Sequence, residues 1–159
     1  MNRVSIALAA IALGVSGTAI AQNIFGEPNS GSVSLSANFD EDPTTVEVVS
    51  GGDLDASEAI GSGCSGHISE DPDVRLSFAA DPQPDAFPLF ISAVSDGDTV
   101  LVINAPDGNW YCNDDGGDGS NPLIVFGPAQ SGDYEIWVGS YDEGEYHDAT
   151  LRISELSGQ

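Results

Sequence analysis

Asn113, Asp114, Asp115, Asp118 and Asn121 stand close together, interleaved with Gly116, Gly117 and Gly119. Calcium takes six to eight oxygens from carboxylates, amide carbonyls and backbone, held at a sharp turn that glycine permits. These five side chains could supply such oxygens, and calcium is the cofactor the sequence suggests. The spacing is not that of an EF-hand loop, because no Glu closes it and the order of acidic and glycine positions differs. Residues 116–121 loosely resemble one nonapeptide calcium repeat, but one copy cannot stack into a β-roll. The competing reading is a solvated turn, rich in Asp, Asn and Gly because these residues tolerate positive φ.

Acyl-transfer chemistry needs a nucleophile, a base and a group that orients the base. The histidines are His67 and His147. Gly63-Cys64-Ser65-Gly66-His67 places a serine near a histidine, but it lacks the Gly-x-Ser-x-Gly order and the strand and helix that flank a nucleophile elbow. It reads as a surface turn. His147 sits between Glu145 and Asp148 in a polar stretch and reads as a solvated side chain. Acids are so abundant that no carboxylate pair is singled out for glycosidase work. No catalytic residue is assigned.

Trp110, Tyr111, Trp137, Tyr141 and Tyr146 could form a stacking platform for a polymer, with Trp110, Trp137 and Tyr141 the candidates for ligand contact. Tyr134, Ile136 and Val138 alternate along one strand face, which leaves Trp137 opposite with Glu135. If the first face is the core, an exposed Trp137 marks a binding surface. Alternatively, Trp137 or Trp110 covers the edge of the fold or packs on a disulfide.

The elements that would position these residues are short strands. Val33, Leu35, Ala37 and Phe39 alternate with polar residues, as in a half-buried strand. Further strands are expected at 44–49, 74–78, 89–94, 99–103, 110–112, 123–126, 134–141 and 149–154. Ser95-Asp96-Gly97-Asp98 signals a hairpin, and Ala105-Pro106-Asp107-Gly108-Asn109 another turn. Residues 55–60 can make one helical turn before Gly61 and Gly63 stop it. The sequence therefore predicts an all-β protein: an antiparallel β-sandwich, jelly-roll-like, of about eight or nine short strands.

Arg3 followed by the apolar run 4–15 and Ala19-Ile20-Ala21 has the form of a signal peptide over residues 1–21, with an uncleaved anchor as the alternative. The run is short for a membrane span. Residues 22–32 read as a flexible lead-in and 33–159 as one β-sandwich domain. Beyond the leader, Arg75 and Arg152 stand against 26 acidic residues, a net charge of about −24 near neutral pH. Such a charge excludes nucleic acid, whose phosphates need Lys and Arg, and points to cations and basic surfaces as partners or to a salty medium. No later run is long enough to embed the chain in a bilayer. In an exported chain, Cys64 and Cys112 suggest one disulfide; free thiols are the alternative.

Residues 74–155 also resemble the bacterial pre-peptidase C-terminal domain. The resemblance is carried by Gly97-Asp98-Thr99-Val100-Leu101-Val102, Pro106-Asp107-Gly108-Asn109-Trp110-Tyr111, Asn113-Asp114-Asp115-Gly116-Gly117, Gly132-Asp133-Tyr134-Glu135-Ile136-Trp137-Val138-Gly139-Ser140-Tyr141 and the closing strand 149–154. It implies a small jelly-roll sandwich of the kind appended to secreted proteases and associated with secretion, extracellular polymers and, in some members, calcium. Residues 1–159 leave no room for a protease domain beside the sandwich, so no peptidase role is expected of them. The expectation is a non-catalytic exported binding or stabilising module, periplasmic or extracellular, with an extracellular polymer or protein as partner. The alternative is a small secreted hydrolase or peptidase-associated protein.

Overall fold

The structure is a computed structural model that describes residues 22–83 and 86–158; the expected leader lies outside the described residues. The strands are β1 (Ser32–Ser36), β2 (Thr44–Val49), β3 (Leu54–Asp55), β4 (His67–Ile68), β5 (Val74–Ala79), β6 (Leu89–Ser95), β7 (Thr99–Asn104), β8 (Trp110–Asn113), β9 (Leu123–Phe126), β10 (Gly132–Ser140) and β11 (Asp148–Ser154), with one helical turn, α1 (Ala56–Ala59). The nine expected strands are present. The two additional ones, β3 and β4, have two residues each, too few for any periodicity to show.

The strands form two sheets of seven and four. In the larger sheet β10 is central. It pairs with β7 along Glu135–Ser140, with β5 along Gly132–Ile136, and with β4 at Ser140. β8 lies outside β7, β1 outside β5, and β3 outside β4. The smaller sheet runs β2-β11-β6-β9. Leu76, Leu101, Ile103, Tyr134 and Ile136 of the larger sheet meet Leu89, Ile91, Leu151 and Ile153 of the smaller in one core, all fully buried. This is a β-sandwich whose inner faces supply the main hydrophobic stabilisation.

One expectation is corrected. Ser95 to Asp98 does not close a hairpin. β6 belongs to the four-stranded sheet and β7 to the seven-stranded one, so this turn carries the chain between layers. Gly97 is needed there, because a Cβ would fall within 2.4 Å of the His147 ring. The pairing is antiparallel as expected, with one parallel pair among the described strands, β1 beside β5, from Ser32 beside Arg75 to Ser36 beside Ala79. Both strands leave the larger sheet to feed strands of the smaller one, β2 and β6, so they point the same way.

The larger sheet is covered on its outer face too. Residues 54–68 fold across it as β3, α1 and β4, bringing Ala56 and Ile68 onto Val100, Val102 and Trp137 to make a second buried cluster. Asp55 caps α1 by accepting from the Ser57 and Glu58 amides. Cys64 and Cys112 are disulfide-bonded, with Cα atoms 5.2 Å apart, and pack on this cluster. The lead-in joins it through Ile24, while Arg75 donates to the carbonyls of Ile24 and Gly26. Among the described residues no helix is long and apolar enough to cross a membrane.

Candidate functional site

The strand pairings gather several loops at one end of the sandwich. Ser140 pairs with Thr99, Asp148 with Val49, and Ala149 with Ser95. The connections after β2, β6, β8 and β10 therefore emerge together, and the segment leading into β5 joins them.

The acidic loop between β8 and β9 is built from its own side chains. Asn113 Oδ1 accepts from the amides of Gly116 and Leu123, at 2.7 and 2.9 Å. Asn121 Oδ1 accepts from the Ser95 amide at 2.9 Å, and its Nδ2 donates to the Asp118 carbonyl. Gly119 has φ 66°, the left-handed region that glycine enters without strain. Both asparagine oxygens are thus engaged by backbone. Asp114 Oδ2 accepts from the Ser65 hydroxyl at 3.1 Å. Among the described residues, no three His, Cys, Asp or Glu side chains form a group spaced to hold a metal ion. In this geometry the five expected oxygen donors do not converge as a set.

The same end is strongly negative. The Asp98 carboxyl is pushed above the ordinary range by loss of solvent and then by the charges of Asp115, Asp142 and Asp114. Carboxylates from three loops therefore share one field, which attracts cations.

Ser65 and His67 are not brought together as a nucleophile and base. Ser65 is bonded to Asp114, and His67 Nδ1 is buried without a hydrogen-bond partner. The aromatic residues are also dispersed. Trp137 is fully buried, so its ring is not on the surface. Trp110 is half-buried against it, and Tyr141 is exposed. Trp137 is covered because residues 54–68 fold onto the face that alternation alone assigns to solvent.

Sequence reasoning did not single out the cleft beside these loops. It has a volume of about 680 Å³, with Val49, Leu54 and Tyr146 as apolar walls and Asp53, Glu70 and Asp73 as acids. Asp73 is 4% exposed. Its Oδ2 accepts from the Val138 amide at 2.7 Å and its Oδ1 from Asn29 Nδ2 at 3.2 Å. Burial raises its pKa to about 6, and these two hydrogen bonds oppose the rise. Gly51 and Gly52 carry the chain past the cleft at φ 108° and 159°. A Cβ on Gly51 would meet the Glu145 carbonyl at 2.5 Å, and one on Gly52 the Ile68 carbonyl carbon at 2.0 Å. The Gly51-Gly52 pair was the only local signal of so close an approach. Asp73, immediately before an alternating strand, looks in sequence like any turn residue.

No family model and no curated protein matches the sequence. A similar solved structure is the pre-peptidase C-terminal domain of collagenase from Bacillus anthracis, with 16% identity and a TM-score of 0.42 over 81% of this chain and 98% of that one.

Proposed function

We propose that this chain is a non-catalytic binding module that works outside the cytoplasm, with recognition concentrated on the loop end of the sandwich. The observation that carries this reading is the open cleft at that end, formed where Val49 and Leu54 of two strand ends meet neighbouring loop residues, and lined by both apolar and acidic side chains. Ligand sites favour such concave, mostly apolar places with a few polar groups to orient what binds. Some of the other polar side chains of this end hold loops. Ser50 and Ser140 share a hydrogen bond at 2.8 Å, and Ser50 also accepts from the His147 amide. A disulfide suits an oxidising compartment, and the strongly acidic chain suits a partner with a basic surface. Calcium remains part of the proposal, as an ion for the 113–121 loop that would have to draw Asp114, Asp115 and Asp118 together, since they are not grouped for a metal in this geometry.

The test pairs retention with turnover. Purified chain is incubated with insoluble basic protein fibres and with polysaccharide, and separately with generic peptide and ester substrates. Retention on the protein fibres without turnover is the expected result. Turnover abolished by Ser65→Ala or His67→Ala would replace this reading with that of a small hydrolase.

A further inference from the structure

The cleft differs from the rest of the acidic surface because it has apolar walls. Val49 and Tyr146 are each 56% exposed, and both line it together with Leu54. Asp53, Glu70 and Asp73 line it as well. A carboxylate has about four acceptor positions, and hydrogen bonds from Val138 and Asn29 account for two at Asp73. Apolar walls with carboxylates beyond them complement a side chain that has an aliphatic stem and a cationic head. An exposed tyrosine ring adds a face that attracts such a head.

The cavity continues as a shallower groove lined by Ser30, Glu47, Val48, Val49 and Asp148, and the two share Ser30 and Val49. This groove follows β2, an outer strand of the four-stranded sheet that pairs only with β11. An outer strand offers unpaired backbone groups along one side, a template for an extended segment. A bare metal ion would need oxygens converging from all sides, which apolar walls do not supply. A small amine would leave the groove unused. With 26 acidic residues against three Lys and Arg in the whole chain, charge complementarity also favours a basic partner.

We propose that the groove beside β2 receives an extended polypeptide segment and that the cavity takes one of its lysine or arginine side chains. This rests on the binding-module reading and adds the chemical class of the partner.

The experiment is a nuclear magnetic resonance titration of the exported chain with acetyl-Val-Thr-Lys-Val-Thr-Val-amide and with the same peptide carrying acetyl-lysine. The lysine peptide is expected to shift resonances of residues 46–54, 70–73 and 146. The neutral peptide should bind about tenfold more weakly, as loss of one charged contact in a desolvated site predicts. Tyr146→Ala and Glu70→Gln should each weaken the lysine peptide about threefold or more. Glu41→Gln, in the turn at the other end of β2, should change affinity no more than general charge loss does. Equal binding of the two peptides would overturn the proposal. So would no binding at millimolar peptide, or equal effects of Glu70→Gln and Glu41→Gln. If Tyr146→Ala and Glu70→Gln leave retention on basic fibres intact, the cavity assignment fails while the binding-module reading stands. Turnover in place of retention would instead remove the wider reading.

Discussion

Trp137 and Trp110 pack with ring centroids 5.3 Å apart at 42°, on the side of the larger sheet that faces away from the main core. A tryptophan with no solvent exposure on an outer sheet face needs a cover. Here the 54–68 excursion supplies it, pinned by Cys64–Cys112 and flanked by Ile24 of the lead-in. The two-layer sandwich thus carries a third, partial layer, and that layer sets one wall of the cleft through Leu54 and the residues flanking its two ends, Asp53 and Ser69.

Trp137→Ala should destabilise the fold by about 3–5 kcal/mol, the usual cost of emptying a large buried aromatic site. Urea denaturation of wild type and variant measures it. A loss below about 0.5 kcal/mol, within the range of surface substitutions, would mean that the outer cluster contributes little.

The disulfide closes a loop with a sequence separation of 48. The chain-entropy estimate for such a loop is about 4 kcal/mol. Cys64→Ser with Cys112→Ser should therefore lower the melting temperature by roughly 10 °C for a domain of this size. Dithiothreitol should do the same to the wild type and leave the double variant unchanged. An unaltered melt in both experiments would show that the bridge does not stabilise the 54–68 cover.

Asp73 gives stability a specific pH dependence. Burial raises its carboxyl from the ordinary 3.8 to about 6 in the folded state. Between those values the folded chain holds a proton that the unfolded chain has released. The group's contribution is complete below about pH 4 and is lost as pH rises through about 6. Wild type should lose about 2 kcal/mol more than Asp73→Asn between pH 4 and 7, given about 1.4 kcal/mol for each pH unit between the two values. The difference between the two proteins cancels the general repulsion of the acidic surface. Parallel stability curves would remove Asp73 as the source.

Calcium at millimolar concentration and low ionic strength should stabilise the fold by about 1–3 kcal/mol, read as a rise in melting temperature, if the ion is well above its dissociation constant. Chelator should reverse the rise, and Asp114→Asn with Asp115→Asn and Asp118→Asn should abolish it. An equal rise with sodium at matched ionic strength would assign the effect to screening of the acidic end. The loop would then be held without an ion, by the Asn113 and Asn121 side chains, the Ser65–Asp114 hydrogen bond and its own backbone bonds.

The strands were legible from local signals, alternation in some and short apolar runs between turns in others. Val74, Leu76 and Phe78 bury one face of β5, and Ala149, Leu151 and Ile153 one face of β11. The turn after Ser95 was legible as a turn but not in its destination. Whether Asp96 and Gly97 return a strand to its neighbour or send it to the other sheet depends on partners far along the chain. β6 takes β9 and β11, and β7 takes β8 and β10. The acidic loop was visible as a cluster of oxygens, but the use of Asn113 and Asn121 by backbone amides was not, because those bonds exist only in the folded turn.

By itself the sequence determined the all-β class, the strand positions, the acidic field and the one pair of cysteines. These follow from residue type and a period of two, which act over a few residues. Only the tertiary structure decided which sheet each strand joins, that Trp137 is buried, and that Val49, Asp53, Glu70, Asp73 and Tyr146 share one cleft. The physical reason is that alternation assigns a side chain to a face, but what covers that face is set by packing between segments distant in sequence.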